Sequence, residues 1–279
     1  MTADIITAFV TAMEAAGIRP VDPICAELES GQMVRFRAEG DRPGRENGWA
    51  VLHFDSVPAG AFGHYRLGVK GKWHLGTAGK PMSAPERRAR AAAWSAAKLK
   101  RDEAQRDVWE CAAVAAERLW QSCEEADISH PYLVRKGVSP DGLRQLGNRV
   151  HIPMSDGTGR IRNIQRISPD GEKRFLKGAR TTGLWWPRGA LDSVLCLGEG
   201  VATMAAVHRA TGHAVAAAFS AHNLEPAARA LRALHPDIDM ILCADDDAHL
   251  PNNIGLQNAH AAALAVAGRV AVPPRATKP

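Results

Sequence analysis

The sequence predicts an α/β protein that ends in a parallel sheet with helices packed on it. Three observations predict this. From residue 191 onward, short apolar runs alternate with helical stretches. The preceding stretch, residues 128–190, alternates apolar and polar residues at strand period. Residues 85–126 are Ala-rich and charged, with no Gly or Pro after Pro85, as in a long helix or two.

Residues 1–80 read as a small α+β domain. Ile5, Ile6, Phe9, Val10 and Met13 recur at helical spacing, so an amphipathic helix is expected there rather than a leader peptide. Short strands follow at Met33–Ala38, Trp49–Phe54, Phe62–Leu67 and Lys72–Leu75, with turn signals at Asp41-Arg-Pro-Gly and Asn47-Gly48. Thr77–Pro85 is rich in Gly, Pro and small residues and reads as a linker, so residues 81–127 comprise linker and long helix. Val150–Met154, Arg160–Ile167 and Lys173–Leu176 are the strands expected in 128–190. Residues 191–279 then give strands at Val194–Leu197, Val215–Phe219, Met240–Ala244 and Val270–Val272. Helices are expected between them at Ala202–Ala210, Glu225–Leu234 and Leu256–Ala267.

Composition narrows the function. The chain of 279 residues is 46% hydrophobic and 23% charged, with a net charge of +5 that mildly favours a polyanionic partner. No apolar run is long enough to cross a bilayer, so no membrane partner is expected. The cysteines at 25, 111, 123, 196 and 243 are odd in number, and no two have C-x-x-C spacing. A reducing, cytoplasmic location is expected, and no zinc site is predicted.

In open α/β sheets the functional groups gather at the carboxyl ends of the strands. Two acidic clusters fall there, Gly198-Glu199-Gly200 after one strand and Asp245-Asp246-Asp247 after another. Along an extended segment Asp245 and Asp247 point the same way, with Asp246 turned aside. Gly198 and Gly200 permit a tight turn, and the helix that follows aims its N-terminus at the site. Such carboxylates suit Mg²⁺, with Mn²⁺ as a substitute. A Gly-Glu-Gly is also a common strand-to-helix turn, and three aspartates are often a solvated turn. Crowded like charges, however, repel unless a cation offsets them. The spacing argues against an EF-hand loop, because the position that needs a glutamate is Leu256.

Leu-Gly-Glu-Gly at 197–200, Ala244-Asp-Asp-Asp247 and the turn Asn253-x-Gly255 into an Ala-rich helix resemble the Toprim domain, over roughly residues 191–274. That Rossmann-like fold is shared by bacterial-type primases, type IA and type II topoisomerases and some nucleases. The wording here is most similar to the Toprim primases of plasmids and phages. His130-Pro-Tyr-Leu133, Lys136-Gly137, His151–Met154, Asp156-Gly157, Arg174–Leu176 and Gly183-Leu184 resemble the stretch that precedes Toprim in primases. The resemblance implies a DNA primase that joins ribonucleoside triphosphates on a single-stranded DNA template. It makes Glu199 the general acid/base and Asp245 and Asp247 the Mg²⁺ ligands. Two departures stand out. No zinc-binding module precedes the catalytic part, so start-site selection is unassigned or falls to residues 1–80. The sequence stops at Lys278-Pro279, where relatives tend to continue into a helicase region. A fragment of a longer protein is therefore expected, with a replicative helicase as a separate or missing partner. No Walker A loop occurs.

Arg160, Arg162, Arg166, Lys173, Arg174, Lys177 and Arg180 crowd the segment before the acidic clusters, opposed by Asp170 and Glu172. Arg160, Arg162 and Arg166 share one strand face by parity, with Asn163 and Gln165 on the other. A basic face beside an acidic site would hold template and nucleotide phosphates; a solvated strand edge is the alternative. The N-terminal domain interleaves Arg35, Arg37, Arg42, Arg45, Arg66, Lys70 and Lys72 with Phe36, Trp49, Phe54, Phe62, Tyr65 and Trp73. This suits a single-strand-binding accessory or, for each aromatic, simply the core of a small domain. Two rivals to a primase stay open, a Toprim nuclease and an inactive DNA-binding protein. A topoisomerase ranks below them, since its nucleophile would have to be Tyr65 or Tyr132.

Overall fold

The computed structural model describes residues 2–54, 58–75, 83–245 and 253–273. The chain divides into two compact units, Met1–Arg88 and Ala89–Pro279. Of the linker expected over Thr77–Pro85, residues 77–82 lie outside the described residues.

The first unit packs one helix on one antiparallel sheet. Helix α1 (Thr2–Ala15) precedes strands β1 (Met33–Phe36), β2 (Gly48–His53), β3 (Ala59–His64) and β4 (Val69–His74), paired in sequence order. Phe9 and Met13, one helical turn apart, are fully buried and anchor α1 on the sheet. The Phe9 ring meets Phe62 and Trp73 edge-on, at 5.8 and 5.4 Å between centroids. Gly60 makes this approach possible, because a Cβ there would stand 2.5 Å from the Phe9 ring. Alternation sends Val34, Phe36, Ala50, Leu52 and Phe62 into the core. The side chain of Asp41, in the β1–β2 connection, is buried. Its carboxylate accepts bonds from Asn47 Nδ2 at 2.8 Å and Ala38 N–H at 3.2 Å, and meets His64 Nε2 at 3.2 Å. Burial alone would raise its pKa; these bonds outweigh burial and bring it down to about 2.

Helix α2 (Ala84–Gln121) is one continuous helix of 38 residues. Pro85 sits in its first turn, where a missing N–H leaves no bond unmade. An antiparallel sheet follows in the order β5-β6-β7-β8-β9, from β5 (Glu124–Glu125), β6 (Arg144–Leu146), β7 (Arg149–Ser155), β8 (Ile161–Ile167) and β9 (Lys173–Phe175). Between β5 and β6 lies α3 (Pro131–Lys136), a six-residue helix absent from the sequence expectation. The His130 side chain accepts from Tyr132 N–H to start it, and left-handed Gly137 ends it.

The last sheet has the order β10-β12-β11-β13-β14, from β10 (Trp186–Arg188), β11 (Val194–Gly198), β12 (Ala214–Ala217), β13 (Asp239–Cys243) and β14 (Arg269–Ala271). β11 pairs in parallel with β12 and β13, and β13 with β14. The expected parallel sheet is therefore present, with one addition: β10 joins β12 as an antiparallel edge strand. Just before β10, Ser155 and Trp185 exchange two backbone bonds of 2.9 and 3.1 Å. Helices α4 (Val201–Thr211), α5 (Leu224–Leu234) and α6 (Ile254–Ala265) complete the unit. Strand alternation sorts two cores. Leu195, Leu197, Ala214, Ala216, Met240 and Leu242 face α5 and α6. Cys196, Val215 and Ala217 face α4 and the buried side chains Val150, Ile152 and Ile167 of the antiparallel sheet.

Candidate functional site at the topological switch point

The chain leaves β11 through α4 to β12 on one side, then crosses through α5 to β13 on the other. Strand order therefore reverses at β11. In such sheets the crevice beyond the carboxyl ends of the two strands at the reversal is the usual ligand site. Gly198, the last residue of β11, pairs with Cys243, the last of β13. Glu199 leaves one strand and Asp245 follows Ala244 from its neighbour, the two strands being about 4.8 Å apart. Both acids are half-buried. Asp246 and Asp247 lie outside the described residues. Among the described residues no three His, Cys, Asp or Glu side chains form a metal-sized cluster.

Local sequence builds this turn. A Cβ on Gly198 would stand 2.3 Å from Met204 Sδ and 3.2 Å from the Cys243 carbonyl, so only glycine lets α4 and β13 close in together. The N–H groups of Ala218 and Phe219 donate to the carbonyls of Gly198 and Glu199, each at 2.8 Å, and tie the turn to the end of β12. Gly200 is extended and caps α4, whose N-terminus follows Glu199 directly. On the other strand, Ala244 N–H donates to Ala271 O at 2.9 Å. Asn253, left-handed at φ 36°, caps α6 by accepting from Leu256 N–H, and Gly255 is buried in the first turn. Beneath the acids, Cys196 and Cys243 are free thiols in contact across β11 and β13. The bond to Cys196, then burial, then the charge of Asp245 push the Cys243 thiol up, so it stays protonated at neutral pH.

The basic residues divide into two groups. Arg160 pairs with Glu117 at 2.8 Å and Glu110 at 2.7 Å; Arg162 pairs with Asp156 at 2.5 Å and also with Glu110. These two arginines thus tie β8 to α2. Arg166, Arg174 and His151 stand in line across β8, β9 and β7. Arg174 pairs with Glu172 at 2.7 Å, and Lys173 and Lys177 are exposed. The Nε atoms of Arg166 and Arg180 are buried with no hydrogen-bond partner. Burial, then the charge of Arg162, pushes the Arg180 pKa down.

Two asparagines that the sequence did not single out as site builders organise this region. Asn163 is fully buried; it donates to Arg180 O at 2.9 Å and accepts from Ile164 N–H at 2.7 Å and Leu176 N–H at 3.1 Å. Asn223 donates to Leu184 O at 2.9 Å and Ala218 O at 2.8 Å, and accepts from Gly183 N–H at 2.7 Å. Tyr132 is buried in the core, which removes it as a nucleophile. A cavity of about 300 Å³, lined by Trp185, Leu195, Ala214 and Leu231, opens at the opposite ends of β11 and β12. Among the described residues no helix is long and apolar enough to cross a membrane.

Residues 194–278 match the Toprim domain. Two proteins named DNA primase TraC from Escherichia coli are similar over most of the chain. One is 36% identical over 88% of this chain and 24% of its own length. The other is 33% identical over 95% of this chain and 19% of its own length. The chain thus spans about a quarter or less of the length of these relatives. Among solved structures, the primase fragment of the bacteriophage T7 primase-helicase protein is 16% identical, with a TM-score of 0.40, covering 52% of this chain and 64% of that one. The carboxyl-terminal third of this chain thus matches the Toprim domain, within a sequence that resembles curated DNA primases along nearly all of its length.

Proposed function

We propose that this chain is a primase catalytic segment that synthesises short RNA primers on single-stranded DNA. The observation that supports the reading is the parallel register of β11 and β13, whose last residues, Gly198 and Cys243, pair just before the chain reaches Glu199 on one strand and Asp245 on the other. Two carboxylates on neighbouring strand ends are hard oxygen donors and fit Mg²⁺ or Mn²⁺. Asp245 and Asp247 would hold the ion, which would offset charge on the triphosphate and ease deprotonation of the attacking hydroxyl.

In the chain's own chemistry, Glu199 accepts the proton of the primer 3′-hydroxyl. The 3′-oxygen then bonds to the α-phosphorus of the incoming ribonucleotide, and the bond to pyrophosphate breaks. Arg166 and Arg180 are the cations best prepared for phosphate, because each holds a buried, unpartnered Nε. Lys173, Arg174 and Lys177 extend the basic surface toward the template strand. Arg160 and Arg162 serve mainly to hold α2, since their charge already meets Glu110, Glu117 and Asp156.

The test is incorporation of labelled ribonucleotides on varied single-stranded templates, with and without Mg²⁺. Primer synthesis by the parent chain that is lost in Glu199→Ala and in Asp245→Ala, with folding and DNA binding retained, supports the reading. Full synthesis in both variants removes it. Degradation of the template without nucleotides would mark a nuclease instead.

A further inference from the structure

One face of the N-terminal sheet carries a second pattern, separate from the acidic pair. Trp49 on β2 stands beside Arg35 on β1 and Gly63 on β3, and Gly63 stands beside Lys70 on β4. Two residues along, Val51 and Ala61 line up with Lys72. These side chains alternate with the core residues and so share the face opposite α1. Arg35, Lys70 and Lys72 are exposed and Trp49 is half-buried. The four strands contain no Asp or Glu.

The indole lies over Gly63. A Cβ on Gly63 would stand 2.7 Å from Trp49 Cζ2, so the ring rests on the sheet where a side chain is missing. Tyr65, exposed at the rim, is 6.3 Å from the indole, and the Arg35 guanidinium stacks 4.6 Å over the Tyr65 ring. An aromatic side chain on a sheet face, flanked by cations within one and two strand widths, is the arrangement that stacks bases while tracking a phosphate backbone. The other aromatics of the unit are not available for this, since Phe36 and Phe62 are buried and Trp73 packs on Phe9.

We propose that this face grips single-stranded nucleic acid, with a base stacked on Trp49 and phosphates held by Arg35, Lys70 and Lys72. The proposal rests on residues of the N-terminal unit alone and does not depend on the reading of Glu199 and Asp245. Charge complementarity and the indole over Gly63 select a polyanionic, base-bearing strand over an apolar peptide.

The experiment is fluorescence anisotropy of a labelled oligothymidylate titrated with the full chain, in chelator and without nucleotides. An oligouridylate run in parallel identifies whether DNA or RNA is the preferred strand. Trp49→Ala is expected to weaken binding about fivefold or more, and Trp49→Phe to retain most of it. Lys70→Ala with Lys72→Ala is expected to flatten the plot of log Kd against log salt by about 1.4, roughly 0.7 per lost phosphate contact. If Trp49→Ala melts below the parent chain, the lysine pair alone decides. Affinity and salt slope unchanged in the folded variants would overturn the proposal.

Discussion

Asn163 and Arg180 are joined by one hydrogen bond of 2.9 Å, from a fully buried side-chain amide to a backbone carbonyl. Through it strand β8 of the antiparallel sheet fixes the loop that carries Lys177 and Arg180. The same amide oxygen holds Leu176 N–H at 3.1 Å.

Asn163→Ala strips these contacts together. It is expected to destabilise the chain by roughly 2–3 kcal/mol, because a buried carbonyl and two N–H groups lose their partner. Urea denaturation measures this. A loss below about 0.5 kcal/mol would mean that the loop is held by something else.

Gly198→Ala places a methyl group against Met204 Sδ, where 2.3 Å is available. Overpacking of this kind costs about 1–3 kcal/mol and pushes α4 away from the Glu199 turn. Primer synthesis is expected to fall far more than the melting temperature does. Met204→Ala in the same chain restores part of the activity, since the displaced atom is then gone.

Arg180→Met removes a cation whose Nε is buried without a partner. The apo protein is therefore expected to melt at the same temperature or slightly higher. The KM for ribonucleotides is expected to rise about tenfold or more, the loss of one charge-assisted bond to phosphate. A drop in stability with an unchanged KM would make Arg180 structural.

Asp156 gives a pH signature. Burial would raise its pKa, but bonds from the Thr158 hydroxyl at 2.6 Å, Arg162 Nε at 2.5 Å and Thr158 N–H at 2.9 Å bring it down to about 2. The folded pKa is depressed, so the stabilisation is fully present above the ordinary value of 3.8 and is lost as pH falls toward about 2. The shift corresponds to about 2 kcal/mol. Asp156→Asn is expected to lower stability at pH 7 and to flatten the acid limb of a pH-dependent melt. An acid limb identical to the parent's would contradict the assignment.

The parallel sheet was legible because its strands are buried on both faces and read as short apolar runs, as at Val194–Leu197 and Met240–Ala244. The acids were legible because Glu199 and Asp245 follow those runs directly. β10 was not legible: it is three residues long, contains Pro187 and pairs antiparallel at an edge. α3 was missed because six residues are too few to show a period. The ion partners of Arg160 lie at Glu110 and Glu117, a separation that strand parity does not encode. Asn163 and Asn223 act on backbone groups brought near by folding, and no local motif marks such a role. In the N-terminal unit, composition flagged the aromatics together. Only the register sorted Trp49 to one face and Phe36 and Phe62 to the other.

The edge strand β10 has a consequence for how this sheet coexists with long flanking sequence. Pro187 has no N–H to offer a passing segment, and the backbone of Trp185 is already committed to Ser155. The sheet thus presents a blunted border on that side, a poor template for misregistered pairing or intermolecular zippering during synthesis. Polypeptide joined to this module would find no ready strand partner at that border of the lattice that supports the carboxylates.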